Sequence, residues 1–178
     1  MVSNNTVFLP NHVDSVPDQV LAFDAATGQT KWKIDFPRPG LVSELTYDNN
    51  KLYLYFDYDD LKKKSYTNIL VEAYDAETGK NIYSTPARMA CCLYTSQSPV
   101  IVENQLFLGT FNTEQSFNLN DGKLQWNAKA LSGRDSMAAV TNQFVIRGQE
   151  SAITLLDRQT GKTITTIPTF DTNQGHLD

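Results

Sequence analysis

The residues best equipped for chemistry are few and scattered. Cys91-Cys92 is an adjacent pair and accounts for both cysteines of the chain. Two cysteines build no disulfide framework, and His12 and His176 lie far from each other and from any cysteine, so a structural zinc site is not expected. Read by itself, the pair is two small apolar side chains packing at a junction. Asp57-Tyr58-Asp59-Asp60, followed by Lys62-Lys63-Lys64, has the charges for a calcium or anion site. It lacks the glycine and distal glutamate of a calcium loop and reads as a long, solvated hairpin tip. Arg134-Asp135 reads as a loop ion pair, with binding of a polar partner as the alternative. Asn4-Asn5-Thr6 matches the glycosylation acceptor pattern, which acts only on a secretory route.

Composition narrows the classes further. The 178 residues, 40% apolar and 20% charged, suit one globular domain. Fifteen Lys and Arg against 20 Asp and Glu give −5 with no basic stripe, which argues against a nucleic-acid partner. The longest apolar run, Met89 to Tyr94, has six residues, whereas a membrane-spanning helix needs roughly 20. Met1 to Thr6 carry neither a basic nor an apolar leader region, so the chain as given shows no secretory signal.

What must position any site is a repeat. One phrase occurs four times: Ala22-Phe23-Asp24-Ala25-Ala26-Thr27-Gly28 leading to Trp32, and Ala73-Tyr74-Asp75-Ala76-Glu77-Thr78-Gly79 leading to Tyr83. Looser copies are Phe117-Asn118-Leu119-Asn120-Asp121-Gly122 leading to Trp126, and Leu156-Asp157-Arg158-Gln159-Thr160-Gly161 followed by Thr165. The glycines step by 51, 43 and 39 residues, the size of a four-stranded propeller blade. Each phrase reads as a hairpin corner in which Gly28, Gly79, Gly122 and Gly161 supply positive φ. Asp24, Asp75, Asn118 and Asp157 accept backbone N–H groups, and Thr27, Thr78 and Thr160 recur beside them.

The incoming strands Val20 to Phe23, Ile69 to Tyr74 and Ile153 to Leu156 hold consecutive apolar residues, as expected of strands covered on both faces. No segment shows helical period with caps, so the expected class is all-β, with blades of four antiparallel strands. The expected blades are 6–37, 41–87, 98–130 and 136–168, within a single domain 1–178. The first blade opens on its second strand, giving about 3.75 blades, with 169–178 as a tail or closing strand. The ring is then closed as four blades, as a homodimer of eight, or within a longer protein.

The Ala-x-Asp-x-x-Thr-Gly-x-x-x-Trp phrase resembles the repeat of the pyrroloquinoline-quinone-like β-propellers, the superfamily of quinoprotein alcohol dehydrogenases and the assembly factor BamB. The resemblance covers nearly the whole chain. It implies that Trp32, Tyr83 and Trp126 dock against the neighbouring blade, a pattern from which Thr165 departs. Some of the dehydrogenases carry a vicinal disulfide against the plane of the quinone, and Cys91-Cys92 occupies a similar loop. This sequence lacks the arginine that follows those cysteines, the catalytic aspartate and the calcium ligands. No cofactor is therefore expected; pyrroloquinoline quinone with calcium near Cys91 and Cys92 is the alternative. The reading is a non-catalytic scaffold binding a protein partner through blade loops or the axial face, with no nucleic acid and no membrane span. By the superfamily's habit it belongs to the bacterial envelope.

Overall fold

The computed structural model describes residues 1–11, 18–36, 41–59, 67–88, 99–109, 113–129, 136–148 and 152–169. These form four sheets of four antiparallel strands, each in sequential order, and contain no helix. The first sheet holds β1 (Val2–Ser3), β2 (Thr6–Asn11), β3 (Gln19–Asp24) and β4 (Thr30–Asp35). The second holds β5 (Leu41–Asp48), β6 (Lys51–Asp59), β7 (Thr67–Asp75) and β8 (Asn81–Arg88). The third holds β9 (Val100–Val102), β10 (Gln105–Gly109), β11 (Thr113–Asn118) and β12 (Leu124–Lys129). The fourth holds β13 (Ser136–Val140), β14 (Phe144–Gly148), β15 (Ala152–Asp157) and β16 (Thr163–Pro168).

One expectation is corrected. The first sheet does not lack a strand: Val2 pairs with Val7 and Ser3 with Thr6, so the described residues hold four four-stranded sheets rather than 3.75. The cause is the turn between them, where Asn4 and Asn5 adopt φ of 46° and 55°. Two consecutive left-handed residues make the tight hairpin whose twist matches its strands. Asn49 and Asn50, at 44° and 60°, make the same turn between β5 and β6. The signal was therefore present twice, and at the first site it coincides with the glycosylation pattern. Asn4 is engaged across sheets, its Nδ2 donating to the Tyr47 hydroxyl at 2.7 Å.

β6 and β7 pair over nine residues each, out to Asp59 with Thr67, against five or six in the matching strands of the other sheets. This longer hairpin accommodates the 51-residue step between the first two glycines.

Consecutive sheets pack face to face, and each junction has its own core. Phe8, Val20 and Ala22 meet Leu52, Leu54 and Tyr74 between the first and second. Tyr53, Val71 and Ala73 meet Leu106, Leu108 and Phe117 between the second and third. Phe107 and Trp126 meet Val145 and Leu156 between the third and fourth. A strand with a neighbour on each face buries every residue, as β10 does, whereas all six residues of β16 are exposed.

Candidate functional site

The repeated phrase builds two linked devices, a polar corner and an aromatic socket. In the first corner Asp24 Oδ1 accepts the Thr27 N–H at 2.8 Å, the Thr27 hydroxyl at 2.9 Å and the Ala26 N–H at 3.0 Å. Asp75 accepts the Thr78 N–H and hydroxyl, both at 2.8 Å. Asp157 accepts the Thr160 N–H at 2.8 Å and hydroxyl at 2.7 Å. Such bonds favour the ionised carboxylate. The Thr27 backbone N–H foremost, then its hydroxyl, holds Asp24 below the usual carboxylate range. At Asp75 and Asp157 the threonine hydroxyl leads, followed by the backbone N–H. The third corner differs: Asn118 Oδ1 accepts the Asn120 N–H at 2.8 Å, and Asp121, in the threonine position, pairs with Lys123 at 2.8 Å.

These aspartates are expected to contribute to an acid limb of stability. A carboxyl with a lowered folded pKa stabilises fully above its unfolded value, about 3.9, and loses that contribution as pH falls through the folded value. Asn118 shows that an amide fits the corner. The triple variant Asp24→Asn, Asp75→Asn, Asp157→Asn is therefore expected to show a smaller fall in urea midpoint between about pH 5 and about pH 3 than the parent. Parallel midpoint curves would show that the corners do not set the acid limb.

Past each glycine the outgoing strand carries a bulge that skips one residue before the docking aromatic. Register shifts after Ala22–Trp32, Ala73–Tyr83 and Ser116–Trp126, and likewise after Leu155–Thr165. A bulge bends its strand and re-aims a side chain. Trp32 Nε1 donates to the Ala76 carbonyl at 3.1 Å, the Tyr83 hydroxyl to the Leu119 carbonyl at 3.3 Å and Trp126 Nε1 to the Arg158 carbonyl at 2.9 Å. In every case the acceptor stands three residues before the next sheet's corner glycine. The ring then lies on that glycine: a Cβ on Gly79 would sit 2.8 Å from Trp32 Cδ2, and one on Gly161 2.5 Å from Trp126 Cε3. On Gly122 it would meet Tyr83 Cδ2 at 2.5 Å. Burial raises the Tyr83 phenol far above its ordinary range, which keeps it a neutral donor.

Of the residues singled out by sequence, Asp24, Thr27, Gly28, Trp32, Asp75, Thr78, Gly79, Tyr83, Asn118, Gly122, Trp126, Asp157, Thr160 and Gly161 all stand in these corners and sockets. Cys91, Cys92, His12, His176, Lys62 to Lys64 and Arg134-Asp135 lie outside the described residues. Sequence reasoning missed the clamp at the fourth corner, where the buried Arg158 guanidinium meets Glu103 Oε2 of the third sheet at 2.7 Å. It also missed a polar crevice of about 210 Å³ between the first two sheets, lined by Ser3, Thr6, Lys31, Tyr47, Asn50 and Glu77. Lys31 Nζ donates there to Thr6 Oγ1 at 2.9 Å, so the cation is already engaged at the wall.

The profile of the family described as outer membrane protein assembly factor BamB matches residues 16–175. The chain belongs to this family. Among solved structures, a europium-containing methanol dehydrogenase superposes with a TM-score of 0.63 at 13% identity over 94% of this chain. The computationally designed Ika4 protein gives 0.54 at 13% identity, with 72% of each chain covered. BamB from Moraxella catarrhalis gives 0.42 at 13% identity, over 94% of this chain and 62% of its own. This BamB-family chain spans 40% of the methanol dehydrogenase's length. No curated protein sequence matches it. The fold is that of an all-β propeller with pyrroloquinoline-quinone-like blades.

The name of the dehydrogenase raises the question of a metal, and the repeat resemblance that of a quinone. Among the described residues no group of three or more His, Cys, Asp or Glu side chains is arranged to hold a metal ion. The aspartates that the repeat supplies are occupied by their own corners. The described residues therefore do not form a calcium cradle, and the quinone reading of Cys91 and Cys92 rests on resemblance alone. Nor is any helix among them long and apolar enough to cross a membrane.

Proposed function

We propose that this chain is a non-catalytic β-propeller scaffold that binds another protein through the loops between its blades or its axial face, in the bacterial cell envelope. One observation carries the reading: the repeated polar side chains are consumed by architecture. Asp24, Asp75 and Asp157 each accept bonds from their own threonine, and the aromatic donors are spent on carbonyls of the next sheet. A corner used this way holds the sheets in register and leaves recognition to the loops, where repeat proteins place their variable residues. The BamB family description, an assembly factor, agrees with a role in contacts between proteins.

The test has two arms on the same purified chain. In the first, photo-crosslinking in a bacterial envelope preparation is competed with excess unlabelled chain; a discrete, competable protein adduct is expected. In the second, the chain is titrated with pyrroloquinoline quinone and calcium while absorbance is followed, and no saturable change is expected. Tight, calcium-dependent quinone binding that is lost in Cys92→Ala would overturn the scaffold reading in favour of a dehydrogenase segment.

A further inference from the structure

One position at the corner end of each sheet junction is filled differently at the three junctions. Ala76, Leu119 and Arg158 are equivalent residues. Each N–H donates to a turn carbonyl of its own sheet, that of Asn50, Asn104 or Gln143, and each carbonyl accepts the docking donor of the preceding sheet. At the second junction the side chain is Leu119, buried in the core there. At the third it is Arg158, also buried, whose guanidinium reaches Glu103 Oε2 at 2.7 Å. At the first it is the single methyl of Ala76, and the polar crevice of about 210 Å³ lies against it.

The crevice is lined by both signs of charge. Lys31 reaches it from β4 of the first sheet and Glu77 from the corner of the second. Among the described residues neither forms an ion pair, with the other or with a third group. Lys31 Nζ gives one hydrogen bond, to the hydroxyl of buried Thr6 at 2.9 Å. An ammonium has three donors, so this bond fixes the cation at the wall without cancelling its charge. The Tyr47 hydroxyl accepts from Asn4 Nδ2 at 2.7 Å and keeps its own proton to donate. Asn4 holds the turn position that Glu103 holds at the third junction, with φ of 46° against 54°. The carboxylate that receives Arg158 is therefore replaced by a neutral amide, and Lys31 repels a bare guanidinium. Glu77 in turn repels a bare anion. The volume equals about seven waters at about 30 Å³ each, below the size of a pocket for drug-sized ligands.

A ligand that satisfies this lining is small and carries one charge of each sign. We propose that the crevice binds a free α-amino acid as its zwitterion. The carboxylate is received by Lys31 and the hydroxyls of Ser3 and Tyr47, and the ammonium by Glu77, each through charge-assisted hydrogen bonds. The ligand's side chain lies over Ala76, in the space that Leu119 and Arg158 fill from within the chain at the other two junctions. Both walls of the site belong to described sheets, and the site lies apart from any loop-bound protein partner. It goes beyond the scaffold reading and does not rest on it.

The experiment is a titration of the whole chain with glycine, L-glutamine and L-arginine, followed by amide chemical shifts. At least one of them is expected to give saturable shifts at Ser3, Asn50 and Glu77, with Gln159 of the fourth corner unmoved. The N-acetylated and carboxamide forms of the tightest binder each lack one charge. Each should bind at least about tenfold more weakly, the scale of one lost hydrogen bond to a charged group. Ala76→Leu copies the second junction and should abolish the shifts by filling the crevice. If Ala76→Leu does not fold, Glu77→Gln, which alters one exposed side chain, should weaken binding by the same tenfold. No saturable shift with any of the three amino acids would overturn the proposal. So would blocked forms that bind as well as the free amino acid, which would mean a site for neutral polar groups. Shifts that survive Ala76→Leu would place the ligand elsewhere and overturn it as well. None of these results bears on the competable crosslink that tests the scaffold reading.

Discussion

Trp126→Ala is expected to lower unfolding stability by about 3–5 kcal/mol, the usual loss for truncating a large buried aromatic. Trp126 is 8% exposed, lies 6.0 Å from the Phe107 ring centroid and covers Gly161, so its removal leaves a cavity at the junction of the third and fourth sheets. It also leaves the Arg158 carbonyl without its indole donor. Trp126→Phe separates the two contributions. It keeps most of the ring and loses the hydrogen bond, for an expected cost of about 1–2 kcal/mol including the unmet carbonyl. Thr165→Ala, at the matching position of the exposed β16, is expected to fall within about 0.5 kcal/mol of the parent. Urea unfolding followed by circular dichroism reads all three. A Thr165 loss equal to that of Trp126 would mean the junctions do not depend on the docked ring. Because sheets in a repeat fold couple only to their neighbours, a distinct early transition of the fourth sheet is the expected form of the Trp126→Ala curve.

The glycine series gives the second large effect and divides one sequence signal into two physical causes. All four corner glycines have φ near +70°, where a Cβ costs about 1–2 kcal/mol. At Gly28 that is the whole expected cost of alanine, because no atom of the described residues lies within 4 Å of the Cβ position. At Gly161 the same Cβ would lie 2.5 Å from Trp126 Cε3 and 2.7 Å from Cδ2, so the ring must leave its seat. Overpacking of a filled site adds about 1–3 kcal/mol. Gly161→Ala should therefore lose about twice as much stability as Gly28→Ala, with the Trp126 emission shifted to the red as its ring meets water. Equal losses, with unchanged emission, would mean that the conformation of the turn alone selects glycine at both sites.

Sequence and structure divide the account unevenly. The Asp, Thr and Gly of three phrases, with Asn118, Asp121 and Gly122 in the remaining one, made the corner legible from sequence, since these are local groups separated by three or four residues and their bonds close within one turn. The all-β class followed for the same reason, from short apolar runs punctuated by polar turns. Even the first strand was legible in principle, because Asn4-Asn5 repeats the turn chemistry of Asn49-Asn50. Its two residues carry too little hydrophobic pattern to announce a strand. What a ring touches is a different kind of fact. Trp32 meets Ala76 across 44 residues and Trp126 meets Arg158 across 32, distances over which spacing in sequence carries no geometry. Only the stacking of the sheets decides that Gly79, Gly122 and Gly161 are covered by a ring while Gly28, with the same backbone, has no described atom within 4 Å of its Cβ position. Burial is a property of neighbours, and the first sheet lacks a described neighbour on one face. The motif was written in the residues, but which copies of it are covered by a ring was settled by the tertiary packing.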